Sequence, residues 1–135
     1  SKVCVDQMIK KYRDKAGLSW QQMNCTALEF PDEAFDAVVD KGTLDSILCG
    51  EGSTSNVGKA LSEITRVLKP NGVLLMLSYG IPDNRLSYLD NDAYHWSVQV
   101  HTVPKPTVSA SAAQDSSDAN SVHYMYVCAK GESDK

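Results

Sequence analysis

Apolar positions recur along the chain with two periods, and the changes of period mark the elements. Val5, Met8, Ile9 and Tyr12 fall at helical spacing, while Lys10, Lys11, Arg13 and Lys15 gather toward the end where a helix dipole favours cations. The pattern predicts an amphipathic helix capped by Ser1 and ended by Gly17, its basic cluster forming a solvated face. Residues 18–23 read as a strand stopped by Asn24, Cys25 and Thr26. After a polar turn at Pro31, Asp32 and Glu33 comes the stretch that organises the rest, Phe35-Asp36-Ala37-Val38-Val39-Asp40-Lys41-Gly42-Thr43-Leu44-Asp45. Its β-branched first half predicts a strand of a parallel sheet, buried on both faces. Gly42 breaks the run, and Thr43 is the expected N-cap of a short helix.

Residues 50–56 read as a loop rich in Gly, Ser and Thr. Val57, Ala60, Leu61, Ile64, Val67 and Leu68 then make an apolar stripe at helical spacing. That helix is expected to end in a tight turn at Lys69-Pro70-Asn71-Gly72, ahead of a second apolar strand over residues 73–77. Strand, helix and strand with short links predict a crossover unit of a parallel sheet. Residues 78–91 read as a polar loop broken by Gly80, Ile81 and Pro82. Residues 95–103 and 122–129 alternate apolar and polar as two strands of an antiparallel hairpin. Residues 104–120, rich in Pro, Ser, Ala and Asp, are expected to be a mobile loop.

Composition narrows the classes. The 135 residues fit one domain, and 42% hydrophobic content suffices for a core. A net charge of −4 and a pI near 5.2, with no basic face, argue against a nucleic-acid partner. Cys4, Cys25, Cys49 and Cys128 lack metal-ligand spacing, so no metal is expected and the thiols are read as reduced and mostly structural. No run reaches the length of a membrane span and no signal peptide is evident, which predicts a soluble cytoplasmic protein.

Candidate chemistry follows from placement. Open α/β sheets bind ligands beyond the carboxyl ends of their strands, where Asp40 and Lys41 fall. The loop after the second strand brings Tyr79, Arg85, Tyr88 and Tyr94 as candidate lining residues, although tyrosines also pack half-buried without a ligand. His95, His101 and His123 fall on or beside the last two strands and are read as structural or solvent-facing. There is no Gly-x-Ser-x-Gly motif, Cys/His pair or phosphate-cradling loop to suggest a hydrolase or nucleotidase.

The central stretch, with Arg66-Val67-Leu68-Lys69-Pro70-Asn71-Gly72 ahead of a strand, resembles the seven-strand S-adenosylmethionine-dependent methyltransferases. The run Asp40-Lys41-Gly42-Thr43-Leu44-Asp45 resembles the branch that modifies lysines of translation elongation factor 1 alpha. Ala93-Tyr94-His95-Trp96-Ser97 and His123-Tyr124-Met125-Tyr126-Val127 are similar to a lysine methyltransferase of that branch. The resemblance implies a Rossmann-like, doubly wound, mostly parallel α/β sheet with a C-terminal antiparallel hairpin, S-adenosylmethionine as cofactor, and a protein lysine as acceptor. It places cofactor contacts on Asn24, Cys25, Asp40 and Lys41. Asp40 or Tyr79 is the candidate acceptor for charge developing on the attacking amine.

In that family the strand order is 3-2-1-4-5-7-6. The chain aligns only from the helix after the second strand, so residues 1–135 are expected to be the C-terminal portion of one methyltransferase domain, lacking the first two strands. A second copy of the chain is a candidate to complete the sheet. Two rival classes remain open: a fragment of a nicotinamide-dependent oxidoreductase and a cofactor-free interaction module.

Overall fold

The computed structural model describes residues 1–105 and 122–132. Helix α1 (Lys2–Lys11) begins as expected, with the Ser1 hydroxyl accepting from the Cys4 N–H at 3.4 Å, and buries none of its residues. Strand β1 (Phe35–Lys41) leads into α2 (Thr43–Leu48), α3 (Ser53–Val67) and β2 (Leu68–Ser78). Helix α4 (Pro82–Leu89), a 3₁₀ turn (Asp92–Tyr94), β3 (Trp96–Pro104) and β4 (Val122–Lys130) complete the described chain. The loop expected over 104–120 falls outside the described residues from 106 onward.

The strands form one mixed sheet in the order β1-β2-β4-β3. β1 and β2 are parallel, joined by the predicted crossover, and the antiparallel hairpin of β3 and β4 docks on β2 through β4. The core lies between one face of this sheet and the helices. Leu44 of α2, Val57 and Leu61 of α3, Leu89 of α4 and Tyr94 close on Leu74, Met76, Tyr126 and Cys128. The Lys130 ammonium locks the layers by donating to the carbonyls of Thr65 and Leu68, satisfying the orphan acceptors at the end of α3.

Four expectations are corrected. Residues 18–23 are not a strand: a strand exists only by pairing, and the described sheet has no strand beyond β1 for them to join. Trp20 from that segment stacks instead on Tyr12, ring centroids 5.7 Å apart. β1 is not covered on both faces, because the helices pack on one side and leave Val39 68% exposed on the other. The turn at 69–72 lies within β2 as a bulge. The register steps from Phe35↔Leu68 to Ala37↔Val73, with Asn71 at φ 65°. Finally, the polar loop after β2 contains α4. Pro82 occupies the helix's first turn, where its missing N–H costs nothing, so a residue read as a breaker is a starter.

Candidate functional site

β1 and β2 run side by side, so their carboxyl ends open on the same rim of the sheet. Alternation along β1 sends Asp40 and Lys41 to opposite faces. Asp40, 9% exposed, borders a small apolar pocket of about 160 Å³ that it shares with Cys25, Leu28, Val38, Thr43, Leu44 and Ile47. Lys41 lines a separate cavity of about 420 Å³, together with Gly42, Leu77, Ser78, Tyr79 and His123. The sequence-derived residues thus divide: Cys25 and Asp40 meet in one pocket, Lys41 and Tyr79 in the other.

The Asp40 carboxylate does local work. Oδ1 accepts from the Thr43 N–H at 2.8 Å and Oδ2 from the Leu44 N–H at 3.1 Å, so both oxygens cap the start of α2. The expected cap, Thr43, is instead the first helical residue. Gly42 stands at the N-cap in a left-handed conformation (φ 80°) and offers no side chain. The glycine permits the sharp turn from strand to helix, and Asp40 supplies the acceptors that it lacks.

Asn24 lies just before Cys25, but its Oδ1 already accepts from the Thr26 N–H at 2.9 Å and the Thr26 hydroxyl at 2.7 Å. With both lone pairs used, only its amide N–H groups remain for a ligand. The segment is held from below by Arg66, whose guanidinium donates to the carbonyls of Leu28 and Phe30 and to Asp32.

The residue that the sequence reading missed is Asp45. Its carboxylate accepts from the Ser78 hydroxyl at 2.5 Å, from the Tyr79 N–H at 3.0 Å and from Arg85 of α4. Burial pushes its pKa up. The hydrogen bonds from Ser78, Tyr79 and Arg85, with the Arg85 charge, outweigh that and hold it below the ordinary carboxylate value. The Ser78 hydroxyl in turn accepts from the Gly80 N–H, and the Tyr126 hydroxyl donates to the Gly80 carbonyl at 2.7 Å. Every residue of the Ser78–Tyr79–Gly80 corner is therefore tied down, while the Tyr79 side chain stays 71% exposed. A repeat of Asp at the start and end of the Asp40–Asp45 run was the available signal.

Of the histidines, His123 lies against Tyr79, ring centroids 4.8 Å apart and 67° between planes. No group of three or more His, Cys, Asp or Glu among the described residues is placed to hold a metal. None of the described helices is long and apolar enough to cross a membrane.

Residues 3–76 match a family described as "Methyltransferase domain". The chain is 36% identical over 110 residues to mouse "EEF1A lysine methyltransferase 4", covering 76% of this chain and 43% of that protein. It is 32% identical over 117 residues to mouse "eEF1A lysine and N-terminal methyltransferase", covering 79% of this chain and 16% of that protein. A solved SAM-dependent methyltransferase from Methanosarcina mazei superposes with a TM-score of 0.69 at 12% identity, covering 98% of this chain and 80% of that one. The chain spans less than half the length of these curated relatives. It belongs to the methyltransferase domain family.

Proposed function

We propose that the chain supplies the C-terminal portion of an S-adenosylmethionine-dependent methyltransferase domain acting on a protein lysine in the cytoplasm. The observation that carries this reading is the division of the sheet's carboxyl rim into two neighbouring sites, a small apolar pocket beside Cys25 and Asp40 and a larger cavity beside Tyr79 whose one charged lining residue is Lys41. The sheet order β1-β2-β4-β3 corresponds to the last four positions of the seven-strand order, 4-5-7-6. The names of the relatives support elongation factor 1 alpha as the protein carrying the acceptor lysine.

The residues present fit part of the cofactor. The apolar walls Leu28, Val38, Leu44 and Ile47 suit the flat face of an adenine, with Cys25 at the pocket wall and Asn24 next to it in sequence. Lys41 suits an anionic group such as a carboxylate. When bound, S-adenosylmethionine supplies a sulfonium methyl group open to in-line attack by an uncharged amine. The chain's own part is alignment: the tied corner after β2 fixes the cavity wall against which the amine is presented. Because both Asp40 oxygens serve α2, Tyr79 is the stronger candidate to take up the charge that develops on nitrogen.

The remaining sheet neighbours would come from another polypeptide segment or a second copy. The open edge of β1, the exposed Val39 and the buried Trp20 Nε1–H, which has no acceptor among the described residues, favour such completion. The test is transfer of labelled methyl from S-adenosylmethionine to purified elongation factor 1 alpha by the protein extended upstream. Label on a lysine is expected; label on no residue of that factor removes the acceptor from the proposal.

A further inference from the structure

The Tyr79 ring is unusual in being largely exposed while its backbone N–H donates to Asp45 and the next residue, Gly80, is held at both its N–H and its carbonyl. A large aromatic surface left in water on a flexible loop needs no explanation, but one fixed by Asp45, Ser78 and Gly80 is preorganised for a contact. The ring forms the mouth of the Lys41 cavity, with the His123 imidazole standing edge-on beside it. Over its face lies a cation from the same chain: the Lys105 ammonium, just past the end of β3, is 5.8 Å from the ring centroid. That distance is within the range where an ammonium is attracted by the ring quadrupole. β3 ends opposite the start of β4, at Pro104↔Val122, and so delivers Lys105 to the rim where β1 and β2 also end.

We infer that Tyr79 and His123 form a seat for an aliphatic ammonium, the side chain of an acceptor lysine, and that Lys105 occupies this seat in cis and competes with it. The inference rests on the methyl-transfer reading for the identity of its ligand, but the seat itself is a binding site that needs no cofactor. Lys41 makes the inside of the cavity unfavourable for a second cation, so the ring face at its mouth is where a cation is accommodated. An intramolecular lysine there lowers apparent affinity for an incoming one by the fraction of time it holds the ring.

The experiment is an NMR titration of the 135-residue chain with Nα-acetyl-lysine amide, read at the Tyr79 and His123 ring signals, with Nα-acetyl-norleucine amide as the uncharged analogue. Lys105→Met, which keeps the stem and removes the charge, is expected to tighten binding of the lysine probe roughly two- to fivefold. Tyr79→Leu is expected to abolish it in both backgrounds with the remaining spectrum unchanged, and the norleucine probe to bind more weakly than the lysine probe. Equal affinity of the wild type and Lys105→Met, or equal binding of the two probes, overturns the inference. Failure of methyl transfer in the extended protein, with the titration as expected, would remove the enzymatic reading and leave the seat standing.

Discussion

Asp45 and Arg85 stand 40 positions apart in sequence and 3.1 Å apart in space, each with less than a fifth of its side chain exposed. The pair joins α2 to α4 across the end of β2, and Ser78 is hydrogen-bonded to both partners. It is the tie that turns three separate elements into one rim.

Removing one partner should therefore cost more than the surface charge count suggests. Asp45→Ala leaves Arg85 half-desolvated and the Ser78 hydroxyl without its acceptor, with an expected loss of about 2–3 kcal/mol in urea unfolding. Replacing both residues by apolar ones, as in Asp45→Leu with Arg85→Met, should recover part of that loss. A double variant no more stable than Asp45→Ala would show that the pair does not act as a unit.

The same carboxylate sets an acid dependence. Its folded pKa is held below the ordinary 3.8, so its stabilisation is complete above that value and is lost as pH falls through the lower folded value. Urea midpoints measured between pH 5 and pH 2 should fall more steeply for the wild type than for Asp45→Asn.

At the alkaline end two buried acids act together. Burial pushes the Tyr126 hydroxyl up from 10.0 to about 12, and the Cys128 thiol up from 9.0 to about 12. Both favour the neutral form in the fold, so the stability they contribute is present below the unfolded values and drains away as pH rises toward 12. In iodoacetamide at pH 8, mass spectrometry should find Cys4 and Cys49, both exposed, alkylated first and Cys128 only after unfolding.

Gly80 is predicted to be intolerant of any side chain. A Cβ there would run into the guanidinium of Arg85, which cannot swing away without leaving Asp45. Gly80→Ala should cost about 1–3 kcal/mol. It should also shift the Tyr79 ring signals, whereas Gly58→Ala, which meets nothing within 4 Å, should leave them in place.

The legible parts of the fold were those whose cause is local. A continuous β-branched run marked β1, period two marked β3 and β4, and period 3.6 marked α3, because each writes its pattern into neighbouring residues. Residues 18–23 misled for the complementary reason: their pattern is that of a strand, but pairing is a property of neighbours and not of the segment. Pro82 was ambiguous because the same locked φ that ends one helix begins another. The division of Asp40 from Lys41 was readable from strand alternation alone. The repeated Asp of the Asp40–Asp45 run pointed to Asp45 but not to its role, since its partners Ser78 and Arg85 lie 33 and 40 residues away and only the fold brings them together.

The most direct test of the account is calorimetry of cofactor binding to the protein extended upstream, with and without Cys25→Trp, which fills the apolar pocket beside Asp40. The account predicts that S-adenosylmethionine binds, that NAD does not, and that Cys25→Trp weakens binding by about tenfold or more while the thermal transition is kept. Binding of NAD, or binding of S-adenosylmethionine untouched by the tryptophan, would contradict it.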